Sequence, residues 1–426
     1  KEKEVPKKDD EGNDIEDQFE TIYETETLNE MTPIWNKNKT DVTDEDLNAF
    51  YKSQYFDYTD PMLNIWTDVE GKLTYKSIVF IPSKAPANLY SEKYEKGLQL
   101  YAKGVFVMDK CKELVPDYLR FIKGLVVSPD LNLNISREIL QKNQQLVNIQ
   151  KNLEKKIVKR LEKMLESERD EYVKFWKEFG VNIKYGVYDN FGLNKDLLQD
   201  LVLFETVNED QFVTLNEYVE KMPKDQKEIY YGSAHSKSAI KASPQMDRLK
   251  KKGYDVLILT DEIDEFMLSI MHEYKKLPFK SINQGDLDLL DETEKETIKQ
   301  KETENKDLLE KIKESLKGEV DEVKLSTRLT DSQVCLVSGE GMSFEMEKLM
   351  EQMPGDKSSQ QKAQKILEIN PDHDLFKAIN HLYQQNSEDL DDYANVLYNQ
   401  ALLIEGLKIK DPVDFSNKMV KILVKA

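Results

Sequence analysis

Arg137 is the side chain whose position in this sequence is best suited to chemistry. An alternating apolar pattern over residues 131–135 runs into Ser136, and a long helical pattern begins just behind it. Arg137 therefore falls in the first turn of the predicted helix, where the helix dipole disfavours a cation. With Asn134 and Ser136 beside it as candidate caps, this cation is well placed to meet an anion that arrives from outside. Local chemistry alone favours the alternative, a solvated surface arginine after an ordinary helix cap.

A set of apolar side chains that is rich in methionine forms a second candidate site, between Gly341 and Pro354. At about 100° per helical residue its members share one narrow arc, with Met350 at the margin. The set is Met342, Met346, Leu349 and Met353. Methionine is flexible and polarisable, which suits a surface that binds irregular or changing partners. The pattern alone favours core packing instead, although Phe344, on the opposite side, is unusual for a helix that only faces a core.

Other common kinds of chemical site are not indicated. The sequence has no G-x-x-x-x-G-K-[ST] segment and no G-x-G-x-x-G segment, so it predicts no nucleotide pocket of these types. Its four histidines lack paired ligand spacing, and no metal site is predicted. Cys111 and Cys335 are too few for a disulfide framework.

Composition limits the classes of partner. The 426 residues carry 81 acidic and 61 basic side chains, a net charge of −20. A protein that binds duplex DNA usually carries a basic surface, so nucleic acid is not expected as the main partner. No apolar run is long enough to predict a membrane span. The length favours two or three domains.

The elements that must position these sites alternate between strands and helices. Residues 28–165 read as an α/β unit, with strands over 63–67, 73–81 and 98–108 and a short helix over 111–124. A long helix from Ser136 has one buried stripe at three- and four-residue steps. The stripe consists of Ile139, Leu140, Leu146, Ile149, Leu153, Ile157, Leu161 and Met164. Residues 1 to about 12 are expected to be a disordered tail.

The second half of the chain repeats this alternation. Residues 166–225 are predicted as a helical connector with Phe175, Trp176 and Phe179 in its core, and 226–290 as a second α/β unit with parallel strands. Residues 291–306 are predicted as a linker and 307–426 as a last domain. Its final helices, 388–405 and 412–424, carry apolar stripes that indicate either an intrachain core or an interchain bundle. These stripes are Leu390, Leu397, Ala401 and Ile404, then Phe415, Met419, Ile422 and Leu423.

Several segments together carry a family resemblance. The segment from Val105 to Gln141, which includes SPDLNLNISREILQ, resembles the middle domain of the ninety-kilodalton heat-shock chaperone family, most closely its bacterial HtpG branch. Shorter matches occur in the family's order, which makes the resemblance more specific than one motif. They are Pro33-Ile-Trp, Asn48-Ala-Phe-Tyr-Lys-Ser, Phe80-Ile-Pro-Ser-Lys-Ala-Pro, Tyr230-Tyr-Gly, Asp261-Glu-Ile-Asp-Glu-Phe and Ile369-Asn-Pro-Asp-His.

The resemblance implies a multidomain α+β and α/β fold. Residues 1–27 would be the remnant of a charged linker and the start of a middle domain that continues over 28–290. That domain would have two α/β subdomains joined by helices, the first with an αβ sandwich like that of ribosomal protein S5. Residues 307–426 would form a smaller α+β dimerisation domain that ends in a helical bundle.

The resemblance also implies ATP-driven assistance to protein folding under heat shock and stress. Arg137, with Gln141 and Asn134 as supporting polar contacts, would reach ATP held by an N-terminal domain that is missing from this fragment. ATP and Mg²⁺ are therefore expected in the full-length protein. Neither is expected bound to this fragment, which should not hydrolyse ATP alone.

Partners follow from the same resemblance. We expect a homodimer through the last helices, in the cytoplasm, with possible cooperation with bacterial chaperones of the seventy-kilodalton class. Unfolded or partly folded client proteins would contact the methionine-rich helix, Phe344 included, and also Phe266, Met267 and Tyr58. Many family members have tryptophan at the positions of Phe266 and Tyr58, so these two contacts depart from the family pattern.

Two other functions stay open at this stage. One is the middle region of a gyrase-type or mismatch-repair-type ATPase that acts on DNA. Those proteins usually place a lysine where this chain has Arg137, and they need basic surfaces, which the net charge of −20 opposes. The other is a passive scaffold without nucleotide coupling.

Overall fold

The computed structural model of this chain is a mixed α+β protein. It describes residues 2–8, 14–23, 32–71, 73–131, 144–352 and 362–425. The chain divides into two compact units. The N-terminal unit comprises residues 1–116 and 120–153, and the C-terminal unit comprises 117–119 and 154–426.

The N-terminal unit is built on a five-stranded sheet in the order β3-β4-β7-β5-β6. Neighbouring strands are antiparallel except β5 and β7. A separate antiparallel hairpin joins β1 to β2. The elements are β1 (Glu2–Lys8), β2 (Asp14–Tyr23), α1 (Asp44–Tyr55), β3 (Leu63–Val69), β4 (Tyr75–Ile81), β5 (Leu98–Ala102), β6 (Val105–Cys111) and β7 (Lys123–Ser128).

Local chemistry explains how α1 is placed on this sheet. Thr43 and Asp46 form a capping box at its start, which satisfies backbone N–H groups that the first turn leaves free. Leu47 and Tyr51 then pack against Ile78 and Phe80 of β4 to form a buried cluster.

Helix α2 (Gln144–Ser167) follows. Its residues up to Leu153 belong to the N-terminal unit, and the rest belong to the C-terminal unit. The predicted stripe is confirmed over the described residues, since every predicted member from Leu146 to Met164 is buried. Ile139 and Leu140 lie outside the described residues.

The C-terminal unit begins with a long helix and a six-stranded sheet in the order β12-β13-β10-β11-β8-β9. The predicted parallel pairing is confirmed, because β10 runs parallel to both β11 and β13. Phe175, Trp176 and Phe179 are buried, as predicted. The elements are α3 (Arg169–Gly192), α4 (Lys195–Leu198), β8 (Leu203–Thr206), β9 (Val213–Thr214), α5 (Leu215–Lys221), β10 (Ile229–Ser233), α6 (Lys237–Ala242), α7 (Asp247–Lys252), β11 (Leu257–Leu259), α8 (Asp264–Met271), β12 (Glu273–Tyr274) and β13 (Leu277–Ser281).

The same unit continues into helices around a three-stranded sheet in the order β14-β16-β15. Leu308, Ile312, Leu336, Leu367 and Ala401 belong to the core that these elements share. The elements are α9 (Glu292–Glu304), α10 (Lys306–Ser315), β14 (Glu322–Leu325), β15 (Val334–Ser338), α11 (Phe344–Gln352), β16 (Lys365–Ile369), α12 (Asp374–Gln384), α13 (Asp389–Ile404) and α14 (Pro412–Lys425).

Some predicted elements are wrong. The single strand over 98–108 is a hairpin, because Lys103 and Gly104 take positive φ and turn the chain. The helix over 111–124 is two short 3-10 turns followed by β7, in which Gly124 faces the Ile78 carbonyl too closely for a side chain.

Three other regions also differ from expectation. The first dozen residues include β1, which pairs with β2 and is no disordered tail. The connector over 166–225 is not purely helical, since it contains β8 and β9. Most of the stretch predicted as a linker, 291–306, is α9, which starts with an Asp291–Glu294 capping box and buries no side chain.

Candidate functional site

Helix α11 is held at its start and in its middle by side chains that the sequence pattern did not single out. The Ser343 hydroxyl accepts a hydrogen bond from the Met346 N–H at 3.0 Å, which caps the helix, and donates one to the buried Glu265 carboxylate of α8. Lys348 donates to the Glu405 carbonyl oxygen at the end of α13 at 3.3 Å. The helix is therefore fixed against two other elements of the C-terminal unit.

The methionine-rich face of α11 remains partly accessible on this anchored helix. Met346, Leu349 and Met350 are half-buried. Met342, just before the helix, packs against the core. Met353 lies outside the described residues. Three of the predicted client contacts therefore share one partly open helical face.

Phe344 and Met267 do not fit the predicted role as surface contacts. Phe344 is 5% exposed and belongs to the core of the three-stranded sheet, where it anchors α11. Met267 has no exposed surface. Phe266 is half-buried, and its ring meets Tyr188 edge-on at 6.1 Å between centroids. Only Phe266 of the pair in α8 is in a position to contact a client in this conformation.

A buried ion cluster fixes the start of α8. The Lys184 ammonium lies 2.8 Å from Asp261 Oδ2 and 2.6 Å from Asp264 Oδ1. Burial alone would lower the pKa of Lys184, but the charges of Asp264 and Asp261 outweigh it, so its pKa is raised. Lys184 therefore stays charged and holds the turn that presents Glu265 and Phe266.

Glu265 is the most unusual group beside α11. Burial raises the pKa of its carboxyl group, the hydrogen bonds from Ser233 and Ser343 oppose this shift, and the nearby Glu345 carboxylate reinforces it. Sequence reasoning missed Glu265 and Glu345, because they are 80 positions apart and no periodic pattern links them.

The remaining predicted contacts are in other parts of the chain. Tyr58, in the N-terminal unit, is 96% exposed. Arg137, Gln141 and Asn134 lie outside the described residues.

The apolar stripes of the last two helices are divided between core and surface. Leu390, Leu397, Ala401 and Phe415 are buried within the chain, so the intrachain reading is correct for them. Ile404, Met419 and Leu423 are exposed, and Ile422 is half-buried.

Other exposed apolar residues extend this surface, and sequence reasoning missed them. They are Leu403, Val413, Val420 and Val424. The spacing of Val413, Val420 and Val424 by seven and four residues is a helical signal that could have identified them.

Comparisons with known proteins decide the family. A family profile described as Hsp90 protein matches residues 1–426. The chain belongs to the Hsp90 family. It is 47% identical over 410 residues to the chaperone protein HtpG of Clostridium botulinum strain Langeland, and 43% identical over 409 residues to that of Bacillus subtilis strain 168. Each match covers 96% of this chain and 65% of the relative.

A solved structure supports the fold of this Hsp90 family chain. It is described as the middle domain of a Plasmodium falciparum heat shock protein, and it matches with a TM-score of 0.54 and 32% identity. The match covers 59% of this chain and all of that one. The predicted mixed α+β, multidomain fold class is confirmed. The alternative of a DNA-acting ATPase is not favoured by these matches. No helix in the described part of the chain is long and apolar enough to cross a membrane.

Proposed function

We propose that this Hsp90 family chain is part of an ATP-dependent molecular chaperone and binds unfolded or partly folded client proteins along α11. The observation that carries the proposal is the partly open face of Met346, Leu349 and Met350 on a helix fixed to the core through Phe344. Apolar side chains that stay accessible on a fixed element mark a binding surface. Flexible methionines let one surface fit many sequences.

The experiment that tests client binding on α11 removes the apolar character of this face without moving the helix. Met346→Gln and Leu349→Gln together leave the Phe344 anchor and the Ser343 cap in place. We expect the double variant to bind a permanently unfolded polypeptide, reduced and carboxymethylated α-lactalbumin, about five- to tenfold more weakly, because two apolar contacts are lost. Fluorescence anisotropy with the labelled polypeptide measures this affinity.

Val105→Gln with Leu193→Gln is the matched control, because both residues are exposed and apolar but lie outside α11. Unchanged affinity in the control and weaker affinity in the α11 variant support the proposal. Equal losses in both variants would mean that the chain binds through scattered apolar surface, and the assignment to α11 would fall.

Arg137 is proposed as the residue that couples this chain to ATP. The Asn-Ile-Ser-Arg-Glu setting supports this role, since a guanidinium directed at the terminal phosphate stabilises charge that develops during phosphoryl transfer. The chain spans 65% of the length of the relatives, and we assign ATP and Mg²⁺ to a domain outside it. Gln141 and Asn134 would support the same contact.

The Arg137 proposal is tested in a protein that carries the ATP-binding domain. Arg137→Ala should lower ATP turnover by roughly a thousandfold or more, as for known arginine fingers. The melting temperature should stay unchanged. Lys151→Ala, an exposed cation on α2, is the control and should leave turnover unaffected. Unchanged turnover in Arg137→Ala would contradict the proposal.

The proposed function also includes the oligomeric state of the protein and its cellular location. The exposed apolar residues of α14 support a homodimer. We place the protein in the cytoplasm, where it could cooperate with chaperones of the seventy-kilodalton class.

A further inference from the structure

A cavity of about 150 Å³ lies at the β9 edge of the six-stranded sheet in the C-terminal unit. Its lining residues come from the loop after β8, from β9, from α5 and the turn that follows it, and from the segment before β11. One water molecule needs only ~10–15 Å³, whereas sites for drug-sized ligands begin at ~300 Å³. The cavity therefore suits a ligand of a few non-hydrogen atoms.

Gln226 brings an unpaired hydrogen-bond acceptor to this cavity. It is 6% exposed, and its Nε2 donates to the Glu228 carbonyl oxygen at 2.8 Å and to the Tyr218 hydroxyl at 3.1 Å. Because the carbonyl oxygen can only accept, these contacts fix which way the amide points. Its Oε1 is buried and has no hydrogen-bond partner among the described residues. A buried acceptor without a donor is costly in free energy, so a donor from outside the chain would be bound favourably.

The charges around the cavity favour a donor that is also a cation. Two carboxylates, of Glu209 and Asp255, line it together with the ammonium group of Lys221. Lys221 pairs with Glu209 at 2.6 Å. The Asp255 carboxylate accepts from the backbone N–H groups of Asn208 and Val256 but has no salt bridge to a described residue. One negative charge at this site is therefore left without a cation.

The apolar part of the lining selects what carries the cation. Val213, Met222 and Pro223 line the same cavity. An aliphatic chain that packs against such surface leaves water, which favours binding. Within the described ranges, no three acidic, histidine or cysteine side chains are arranged to hold a metal ion. A short alkyl chain that ends in an ammonium group matches the acceptor, the charge and the apolar surface together.

We propose that this cavity binds a small primary ammonium ligand, with its N–H groups directed at Gln226 Oε1 and its charge balanced by Asp255. Its alkyl chain would pack against Val213 and Met222. Such a group can belong to a free alkylamine or to the end of a lysine side chain of another protein. The cavity shares no lining residue with α11, so this proposal is independent of the proposed function.

The test uses three probes of similar size and follows the Met222 methyl signal by NMR, in the 426-residue chain labelled with carbon-13 at its methionine methyl groups. n-Butylammonium has both the charge and N–H donors, tetramethylammonium has the charge without a donor, and n-butanol has a donor without the charge. n-Butylammonium should shift the Met222 signal with a roughly millimolar Kd, as expected for so small a ligand. The other two probes should bind about tenfold more weakly or worse. The other methionine signals are the internal control.

Two substitutions identify the groups that bind the ammonium. Gln226→Met removes the acceptor and should weaken n-butylammonium binding about tenfold. Asp255→Asn removes the charge but keeps an oxygen for the two backbone N–H groups. It should weaken n-butylammonium binding about two- to fivefold and leave n-butanol binding unchanged. Because Gln226→Met also removes two hydrogen bonds within the chain, Asp255→Asn tests the proposal even if the first variant does not fold. Asp196→Asn, at an exposed position on α4, is the control and should not change the affinity.

The probes also define the results that would overturn the proposal. Equally tight binding of tetramethylammonium would show that charge alone attracts the ligand, and equally tight binding of n-butanol would show that charge is not needed. No shift of the Met222 signal with n-butylammonium would mean that the cavity holds only water.

A fourth probe, N-acetyl-lysine methylamide, distinguishes the two sources of the ammonium group. Binding as tight as that of n-butylammonium would support a lysine side chain as the ligand. Much weaker binding would support a free alkylamine, because the cavity would then exclude the main chain that a lysine carries.

Discussion

At the scale of single residues, Glu405 is the group whose charge is most sensitive to its surroundings. It lies at the end of α13, where the Gln245 side-chain amide donates to its carboxylate and Asn283 Nδ2 lies 3.4 Å away. Burial raises the pKa of Glu405 from 4.5 to about 7, although the Gln245 hydrogen bond and the Lys348 charge oppose the shift. Between these two pH values the folded chain holds a proton that the unfolded chain releases.

Glu405 should therefore make stability fall as pH rises. The stabilisation by its proton is complete below about pH 4.5 and is lost as pH rises through about 7. Glu405→Gln, which has no proton to lose, should show a smaller decrease in the free energy of unfolding between pH 5 and pH 8. Urea unfolding at several pH values measures this.

Glu310→Gln, an exposed substitution of the same chemistry, is the control and should keep the pH dependence of the unmodified chain. The same decrease in Glu405→Gln as in the unmodified chain would show that another group is responsible.

Residue spacing could predict which side chains share a helical face, but it could not predict what covers that face. The sequence predicts the arc from Met342 to Leu349 and places Phe344 on the opposite side, but the predicted role of Phe344 as a client contact is wrong. Phe344 packs into a core whose other members extend along the chain from Leu308 to Leu402. Met267 is buried for a similar reason, although its neighbour Phe266 is partly open.

At the scale of elements, α14 leaves more large apolar side chains exposed than any other described helix. Phe415 faces the core, whereas Met419, Val420, Leu423 and Val424 are exposed. Burying an apolar side chain contributes about 1.5–3 kcal/mol, so a second copy of this face would be a strong partner. We expect the chain to have twice its 49.7 kDa mass in solution.

Charges on this face should separate the two copies. Met419→Glu with Leu423→Glu should reduce the mass measured by light scattering to that of one chain. Gln300→Glu with Gln384→Glu adds the same charge at exposed positions on α9 and α12 and should leave the mass doubled. A doubled mass that persists in the α14 variant would place the dimer contact elsewhere.

Long periodic elements were predictable from sequence, and short ones were not. Six buried side chains along α2 repeat at helical spacing over five turns, and that signal has no competing interpretation. The segment 111–124 is too short to show a period. There the requirement for glycine at position 124 comes from the close approach of β4, which sequence alone does not reveal.

At the scale of the whole molecule, the family and the fold class could be predicted from the sequence. Contacts between residues far apart in the sequence could not. The buried Arg328 guanidinium binds Glu368 with two nitrogen–oxygen distances of 3.0 Å and also donates to the Ile282 and Gly285 carbonyls. These contacts join β16 to the segment after β13. An arginine in a loop before β15 reads as a surface residue until its partners are known.

The two compact units should unfold in two separate transitions, because each has a core of its own. Gly124→Ala should destabilise only the N-terminal unit, since the new Cβ would lie 2.2 Å from the Ile78 carbonyl oxygen at a φ of +146°. Arg328→Met should destabilise only the C-terminal unit, by about 3–5 kcal/mol, because it removes the guanidinium that pairs with the buried Glu368 and leaves only the more distant Lys324 ammonium, at 3.8 Å. Scanning calorimetry should show each variant lowering one melting temperature by about 5 °C or more.

Two control substitutions test whether any substitution in a unit would lower its melting temperature as much. Glu70→Ala, at an exposed position in the N-terminal unit, and Arg248→Met, whose partner Glu294 is on the surface, should each shift a transition far less than the core variants. A single transition that moves with both core variants would mean that α2, whose buried stripe continues across the division at Leu153, couples the two units into one cooperative block. The number of transitions therefore distinguishes two independently stable units joined by a helix from one continuous folding unit.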